Sequence, residues 1–320
     1  MSSDPELTLE ITGAALVADG VRSLRLARGD RAALPGWEPG AHLEFDLPNG
    51  QIRHYSLCNE TTDANSYEVA VLLAPESRGG SEYIHNDLQV GDLVTVRGPR
   101  NNFPFAIGSR ERALFIAGGI GITPILPMIR RAHAEGIEWS LVYGGRSRES
   151  MAYLEQLQHF GSRVQIVPQD ELGHIDLQTL LGVPQPDTKV FCCGPSGLLD
   201  AVQQLCRTWP DGTLHLERFA AGSLDASVQA DAGTFTVVAE RSGVTCEVGV
   251  GESITDALGR AGIIVPTSCR EGICGTCETK VIAGIPDHRD FLLGDADRES
   301  GATMLICVSR AKTPELILDV

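Results

Sequence analysis

Cys269-Arg-Glu-Gly-Ile-Cys274-Gly-Thr-Cys277, answered further on by Cys307, is the stretch on which the reading of this 320-residue chain turns. Its spacing is C-x4-C-x2-C-x29-C, that of the thiolates that hold a plant-type [2Fe–2S] cluster. Three thiolates on one loop can surround a cluster only if the backbone turns tightly. Gly272 and Gly275 permit that turn and let backbone N–H groups approach the sulfurs. A fourth thiolate from a distant strand closes the cage. Two other readings compete. A zinc site shows two close cysteine pairs, and the second pair is missing. A redox C-x2-C pair at Cys274 and Cys277 needs a βαβ context, which is absent. Cys269, Cys274, Cys277 and Cys307 are therefore the expected metal ligands. The isolated Cys58, Cys192, Cys206 and Cys246 read as small core residues.

Around this loop, residues 233–320 carry an alternating run from Phe235 and a short helical pattern at Ser253-Ile-Thr-Asp-Ala-Leu-Gly-Arg260. The Ala/Gly/Ser/Asp-rich stretch before them has no periodicity and reads as a linker, placed at 223–232. Upstream, residues 107–222 alternate strand and helix patterns. Ala113-Leu-Phe-Ile-Ala117, Trp139-Ser-Leu-Val-Tyr143 and Lys189-Val-Phe-Cys-Cys193 are short apolar runs, the signature of a parallel sheet with crossover helices. Two of these runs end in glycine turns. Gly118-Gly119-Ile-Gly121-Ile-Thr123-Pro124 opens a helix and lets a diphosphate approach the backbone, with Thr123 as the expected N-cap. Cys193-Gly194-Pro195 forms the second turn, and two such turns at strand C-termini converge on one crevice. The first turn departs from G-x-G-x-x-G, and Gly144-Gly-Arg146 stands where a ribose-binding acid would follow the next strand.

Residues 1–106 show short alternating runs such as His42-Leu-Glu-Phe-Asp-Leu47 and Tyr67-Glu-Val-Ala-Val-Leu72, separated by turn signals, and predict an antiparallel barrel or sandwich. Late in this segment come Arg53-His54-Tyr55-Ser56 and Arg78-Gly79-Gly80-Ser81. Alone, either is an ordinary surface charge or turn. Together they offer an arginine, a glycine turn and a hydroxyl, which is what a phosphate needs.

Bulk properties narrow the classes. A formal net charge of −16 argues against nucleic acid as a partner. It serves solubility, or an acidic docking face for a basic redox partner. No apolar run is long enough to span a membrane, and the polar, acidic N-terminus lacks signal-peptide character, so a cytoplasmic location is expected. Nine cysteines, an odd number, do not form a disulfide framework in a reducing cytoplasm.

Taken in order, these motifs resemble the phthalate dioxygenase reductase family, which is similar to ferredoxin–NADP reductases with a ferredoxin domain appended. The resemblance spans essentially the whole chain and includes Gly98-Pro-Arg-Asn101 with Phe103-Pro104, and Glu217-x-Phe219. It implies a multidomain protein: an antiparallel β-barrel flavin domain, an α/β parallel-sheet nucleotide domain and an α+β, β-grasp ferredoxin domain. It further implies that Arg53 binds the flavin phosphate with His54 beside it, that Tyr55 packs on the isoalloxazine and that Ser56 bonds near flavin N5. Arg78, Gly79, Gly80 and Ser81 would cradle the phosphate. Gly118, Gly119, Gly121, Thr123, Pro124, Arg146, Cys193, Gly194 and Pro195 would hold the dinucleotide, with Cys193 beside the nicotinamide and Glu217 and Phe219 bordering the flavin. The implied cofactors are FMN, with FAD as the alternative, the [2Fe–2S] cluster and NADH, with Arg146 and Arg148 leaving room for NADPH. The implied partner is a separate Rieske-type oxygenase, and the implied state is a monomer. A redox sensor would need an output module, which the sequence lacks. A purely structural role conflicts with the complete cysteine set and both glycine turns.

Overall fold

The structure, a computed structural model, describes residues 5–75, 77–220 and 233–320, so the expected linker at 223–232 lies outside the described residues. The chain forms two compact units, Met1–Glu217 and Arg218–Val320.

The first unit opens with six strands: β1 (Glu6–Ala18), β2 (Val21–Ala27), β3 (Ala41–Asp46), β4 (Ile52–Ser56), β5 (Tyr67–Leu72) and β6 (Leu93–Asn101). They form one antiparallel sheet in the order β4-β3-β6-β1-β2-β5. Its two edges meet. Leu57 bridges Val69, and the Cys58 N–H donates to the Glu68 carbonyl at 2.9 Å, so the sheet closes into a barrel and leaves fewer unpaired edge groups. Leu9, Leu24, Leu43, Phe45 and Val69 fill the interior. A short helix, α1 (Gly80–Asn86), follows β5. Its C-terminal carbonyls are satisfied by Arg22, whose guanidinium donates to Ile84, His85 and Leu88 at 2.6–2.9 Å.

The second sheet of this unit contains β7 (Arg112–Gly118), β8 (Trp139–Gly145), β9 (Val164–Pro168), β10 (Thr188–Cys193) and β11 (Leu214–Glu217). All are parallel, in the order β11-β10-β7-β8-β9. Between them run α2 (Ile122–Ala134), α3 (Leu154–Gln158), α4 (Gln169–Leu172), α5 (Leu177–Leu181) and α6 (Ser196–Leu205). Ala113 to Gly118 are all buried, so β7 shows no alternation, as expected of a central strand covered on both faces. The chain winds outward from β7 to β9 and then returns to β7's other side as β10. This places the topological switch point, the usual ligand crevice, between β7 and β10.

Barrel and parallel sheet share one core. Val21, Cys58 and Ala70 of the barrel pack with Ile122, Met151 and Tyr153 of the α/β part. Polar groups tie the same junction: the Cys58 thiol lies 3.2 Å from the Tyr153 hydroxyl, and Arg130 donates to the Cys58 carbonyl at 2.6 Å.

The second unit contains β12 (Phe235–Ala239), β13 (Val244–Val248), α7 (Ile254–Arg260), β14 (Glu278–Ala283), β15 (Pro286–Asp287), α8 (Asp295–Ser300), β16 (Thr303–Leu305), β17 (Arg310–Ala311) and β18 (Glu315–Leu318). Its main sheet has the order β13-β12-β18-β14-β16, with β12 and β18 parallel and the other pairs antiparallel. Alternate residues of β12 are buried, because only one face meets the core. Ile254, Ala257 and Leu258 of α7 cover that face. Ser253 caps this helix, its hydroxyl accepting from the Asp256 N–H at 3.1 Å. A sheet clasping one helix in this way is the β-grasp arrangement. Among the described residues no helix is long and apolar enough to cross a membrane.

Candidate redox sites

The four cysteines sit at two loci of the second unit. Cys269, Cys274 and Cys277 lie on the loop between α7 and β14, and Cys307 lies just past β16. Gly272 has φ +72°, and a Cβ there would stand 2.6 Å from Val308 Cγ2 and 3.0 Å from Asp290 Cα, so no side chain fits. The Glu271 N–H donates to Cys269 Sγ at 3.3 Å, which brings backbone polarity to a sulfur as expected. The thiols pair two and two. Cys269 lies against Cys274 and Cys277 against Cys307, and these contacts push the Cys269 and Cys277 thiols up and the Cys307 thiol down. Among the described residues no set of three or more His, Cys, Asp or Glu converges on a single-ion site. Four thiols, three on one loop and one from beyond β16, are the donor set that a plant-type two-iron cluster needs.

In the first unit, β4 and the turn before α1 bring Arg53 to the Arg78–Ser81 stretch. Arg53 donates to the Arg78 carbonyl at 3.3 Å and to Gln51 Oε1 at 2.8 Å. Gly80 lies directly under it: a Cβ there would stand 2.5 Å from Arg53 Nε. Gly79 has φ +90° and precedes the helix, and Ser81 Oγ donates to Ser77 Oγ at 3.1 Å. One guanidinium, two glycines and two hydroxyls thus lie together, the donor set that a phosphate needs. Tyr55 is half-buried against Phe45, its ring centroid 5.3 Å away, and burial pushes its phenol up. Strand alternation turns His54 away from Arg53 and Tyr55. Its ring lies 3.8 Å from the buried Glu44 carboxylate and 5.2 Å from the His42 ring.

At the switch point the two glycine turns pack on each other. A Cβ on Gly121 would fall 2.2 Å from the Cys193 carbonyl oxygen, and Gly118 and Gly194 face each other closely. Gly119 instead faces open space, and its carbonyl accepts from the Tyr143 hydroxyl at 3.1 Å. Thr123 is not the N-cap. A 3₁₀ turn over Gly119–Gly121 runs directly into α2, which starts at Ile122, two residues before a Thr123 cap would start it, so Gly121 precedes α2. Thr123 is buried in the first turn and its hydroxyl donates to the Ile120 carbonyl at 2.9 Å. Pro124 is buried in the same turn, and Pro195 is exposed beside the crevice.

Where β10 and β11 end side by side, Cys193 and Glu217 are register partners. Their side chains approach to 3.9 Å between Sγ and Oε2. Cys193 is fully buried and its thiol is pushed well up, first by desolvation and then by the Glu217 charge. Glu217 is partly exposed as a residue, but its carboxyl group is enclosed, and desolvation pushes it up to about 8. Ser56 Oγ is buried without a partner at hydrogen-bond distance, yet it is close enough to the Glu217 carboxylate to favour its charged form slightly. Ser56, Cys193 and Glu217, distant in sequence, are thus neighbours. Phe219 belongs to the second unit and is 40% exposed.

Arg146 is exposed at the end of β8. No acid follows β8 directly in the sequence, because the acids arrive from beyond the following strand. The Asp170 N–H donates to the Arg146 carbonyl at 3.2 Å, and Glu171 pairs with Arg148 at 2.8 and 3.0 Å. Spacing along the chain carries no trace of this contact. Only the β8–β9 pairing creates it.

Comparison with known proteins agrees with this arrangement. Three family models match in order: an oxidoreductase FAD-binding domain over residues 8–105, an oxidoreductase NAD-binding domain over 115–204 and a 2Fe-2S iron–sulfur cluster binding domain over 237–312. Phenoxybenzoate dioxygenase subunit beta of Ectopseudomonas oleovorans is 41% identical, with 98% of this chain and 97% of that protein covered. The solved structure of an intact type IV self-sufficient cytochrome P450 monooxygenase is 39% identical at a TM-score of 0.92, and covers 98% of this chain. The chain spans only 41% of that larger protein. The solved structure of phthalate dioxygenase reductase, described as modular for electron transfer from pyridine nucleotides to [2Fe–2S], is 38% identical at a TM-score of 0.71, with 98% of both chains covered. Similar over its full length and with the three domains in the same order, the chain is an oxidoreductase that belongs to the phthalate dioxygenase reductase family.

Proposed function

We propose that the chain is the NADH-dependent reductase component of a multicomponent oxygenase, carrying FMN in the barrel of residues 1–106, binding NADH in residues 107–222 and holding its [2Fe–2S] cluster in residues 233–320. The observation that carries the reading is the meeting of Ser56, Cys193 and Glu217 where barrel and parallel sheet share a core. A flavin supplies the step from two-electron to one-electron chemistry when bound. The chain's own residues do the rest. Arg53 and Gly79–Ser81 would anchor the phosphate, and Tyr55 would back the ring. Gly118–Pro124 and Cys193–Pro195 would seat the dinucleotide at the switch point. Cys193 is small and uncharged, so it can lie against a nicotinamide without a charge to repel it. Glu217, holding its proton at neutral pH, keeps negative charge away from the place where electrons arrive. Cys269, Cys274, Cys277 and Cys307 would hold the cluster and pass single electrons onward.

The Arg78-Gly79-Gly80-Ser81 motif, which the resemblance pairs with FMN, supports FMN over FAD. The relatives' names support an oxygenase as partner, and we assign it to the Rieske type, supplied by a separate chain that hydroxylates or demethylates a small substrate. We further assign a monomeric state and a cytoplasmic location. Chromatography of the flavin released by heat tests the first assignment: FMN is expected, and FAD would overturn it. Steady-state reduction of cytochrome c by NADH tests the activity. A purified, cofactor-loaded protein with no such turnover would refute the reductase reading.

A further inference from the structure

In a doubly wound sheet the adenosine ribose of a dinucleotide lies beside the strand that follows the glycine turn. A carboxylate there suits a free 2′-hydroxyl, and an available arginine suits a 2′-phosphate. In this chain that strand is β8, since Gly144 pairs with Gly118 of the turn. Two arginines follow it, which by themselves would welcome a 2′-phosphate. The fold supplies their opponents. α4 is held against the turn by the Asp170-to-Arg146 backbone bond, and Glu171 engages Arg148 through two parallel hydrogen bonds, 2.8 and 3.0 Å long. Asp170 and Glu149 also act on Arg148. Three carboxylates therefore act on the one Arg148 guanidinium before any ligand arrives. A 2′-phosphate, itself carrying roughly −1.5 to −2 charges near neutral pH, would have to displace Glu171 before it could reach the Arg148 fork. Both partners are about half exposed, at 50% and 45%. Such a pair contributes little to stability, so its removal tests recognition without unfolding the chain.

We propose that Glu171, by holding Arg148, is the residue that makes this protein discriminate against NADPH. This rests on the dinucleotide reading given above. The test is Glu171→Gln in the full-length, flavin-loaded protein, alone and combined with Arg148→Gln. Two quantities are read: the ratio of kcat/KM for NADPH to that for NADH, and the calorimetric Kd of 2′,5′-ADP relative to 5′-AMP. Removing one nearby opposing charge should raise both preferences about tenfold, and the added Arg148→Gln change should cancel the rise. Unchanged ratios in Glu171→Gln, a rise that survives the loss of Arg148, or a wild type that already prefers NADPH would overturn the proposal. A wild type that oxidises neither dinucleotide and binds neither probe would instead bring down the dinucleotide reading, and this proposal with it.

Discussion

Glu217 is the residue whose chemistry departs furthest from its sequence appearance. A glutamate near a strand end reads as a surface charge, yet desolvation holds its carboxyl up to about 8, from an ordinary 4.5. The folded state thus favours the protonated form. Its contribution to stability is present below the ordinary value and is lost as pH rises toward about 8. Ionisation also places negative charge beside Cys193. NADH-driven flavin reduction, followed by stopped flow, should therefore fall as pH rises through about 8. Glu217→Gln should flatten that limb. A variant that keeps the wild-type pH profile would show that another group titrates.

The glycine motifs and three of the cysteines stand out in the sequence because each lies in a local turn or loop, and local turns are written in neighbouring letters. The glycine contacts were legible only in part. Gly80 was expected to meet a phosphate. It also makes room for Arg53, since a Cβ would stand 2.5 Å from Nε and 2.7 Å from Cγ. Gly80→Ala should displace the Arg53 side chain and weaken flavin binding about tenfold while the chain stays folded, as measured by fluorescence titration of the apoprotein. Unaltered affinity would mean that Arg53 does not take part in the site. Spacing rules place the cap at Thr123 because a 3₁₀ turn ahead of the helix leaves no mark in the sequence pattern.

At the scale of elements, the cluster loop is braced by a turn that no motif announces. Asp290 is 2% exposed, and its Oδ2 accepts from the N–H groups of Leu292 and Leu293 at 3.1 and 2.8 Å. The next residue, Phe291, donates its N–H to the Gly272 carbonyl at 2.9 Å, joining the turn to the loop that carries the cysteines. Asp290→Ala would leave two N–H groups without their acceptor and should cost about 2–4 kcal/mol. In urea, the visible absorbance of the cluster should then be lost at lower denaturant while flavin absorbance persists. Simultaneous loss of both would show that the two units unfold together.

Several of the strands followed from periodicity. Alternation marked β3 and β12; β12 buries one face, whereas β3 buries His42 and Glu44 as well, and unbroken apolar runs marked β7 and β10, which bury both faces. The closure of the barrel by Leu57 and Val69 was not legible, because an isolated bridge between distant residues leaves no pattern in the chain.

For the molecule as a whole, composition and texture distinguish three segments, and the three larger sheets among the described residues occupy the same order. The sequence does not announce that the first two sheets share a core. The junction of Cys58, Tyr153 and Arg130 depends on side chains separated by up to 95 positions. The shared core implies that barrel and parallel sheet act as one block in hydride transfer, whereas the cluster is held by a separate unit. Electron entry and exit should therefore separate genetically. Cys274→Ser should abolish reduction of one-electron acceptors such as cytochrome c and leave the flavin reducible by NADH.

The most direct test is the visible absorption spectrum of the purified protein before and after anaerobic NADH, recorded for the wild type and for Cys274→Ser. The account predicts flavin and iron–sulfur bands that both bleach in the wild type, and a flavin band alone that still bleaches in the variant. A wild type that stays colourless after reconstitution with flavin, iron and sulfide would contradict it, as would a cluster that NADH leaves oxidised.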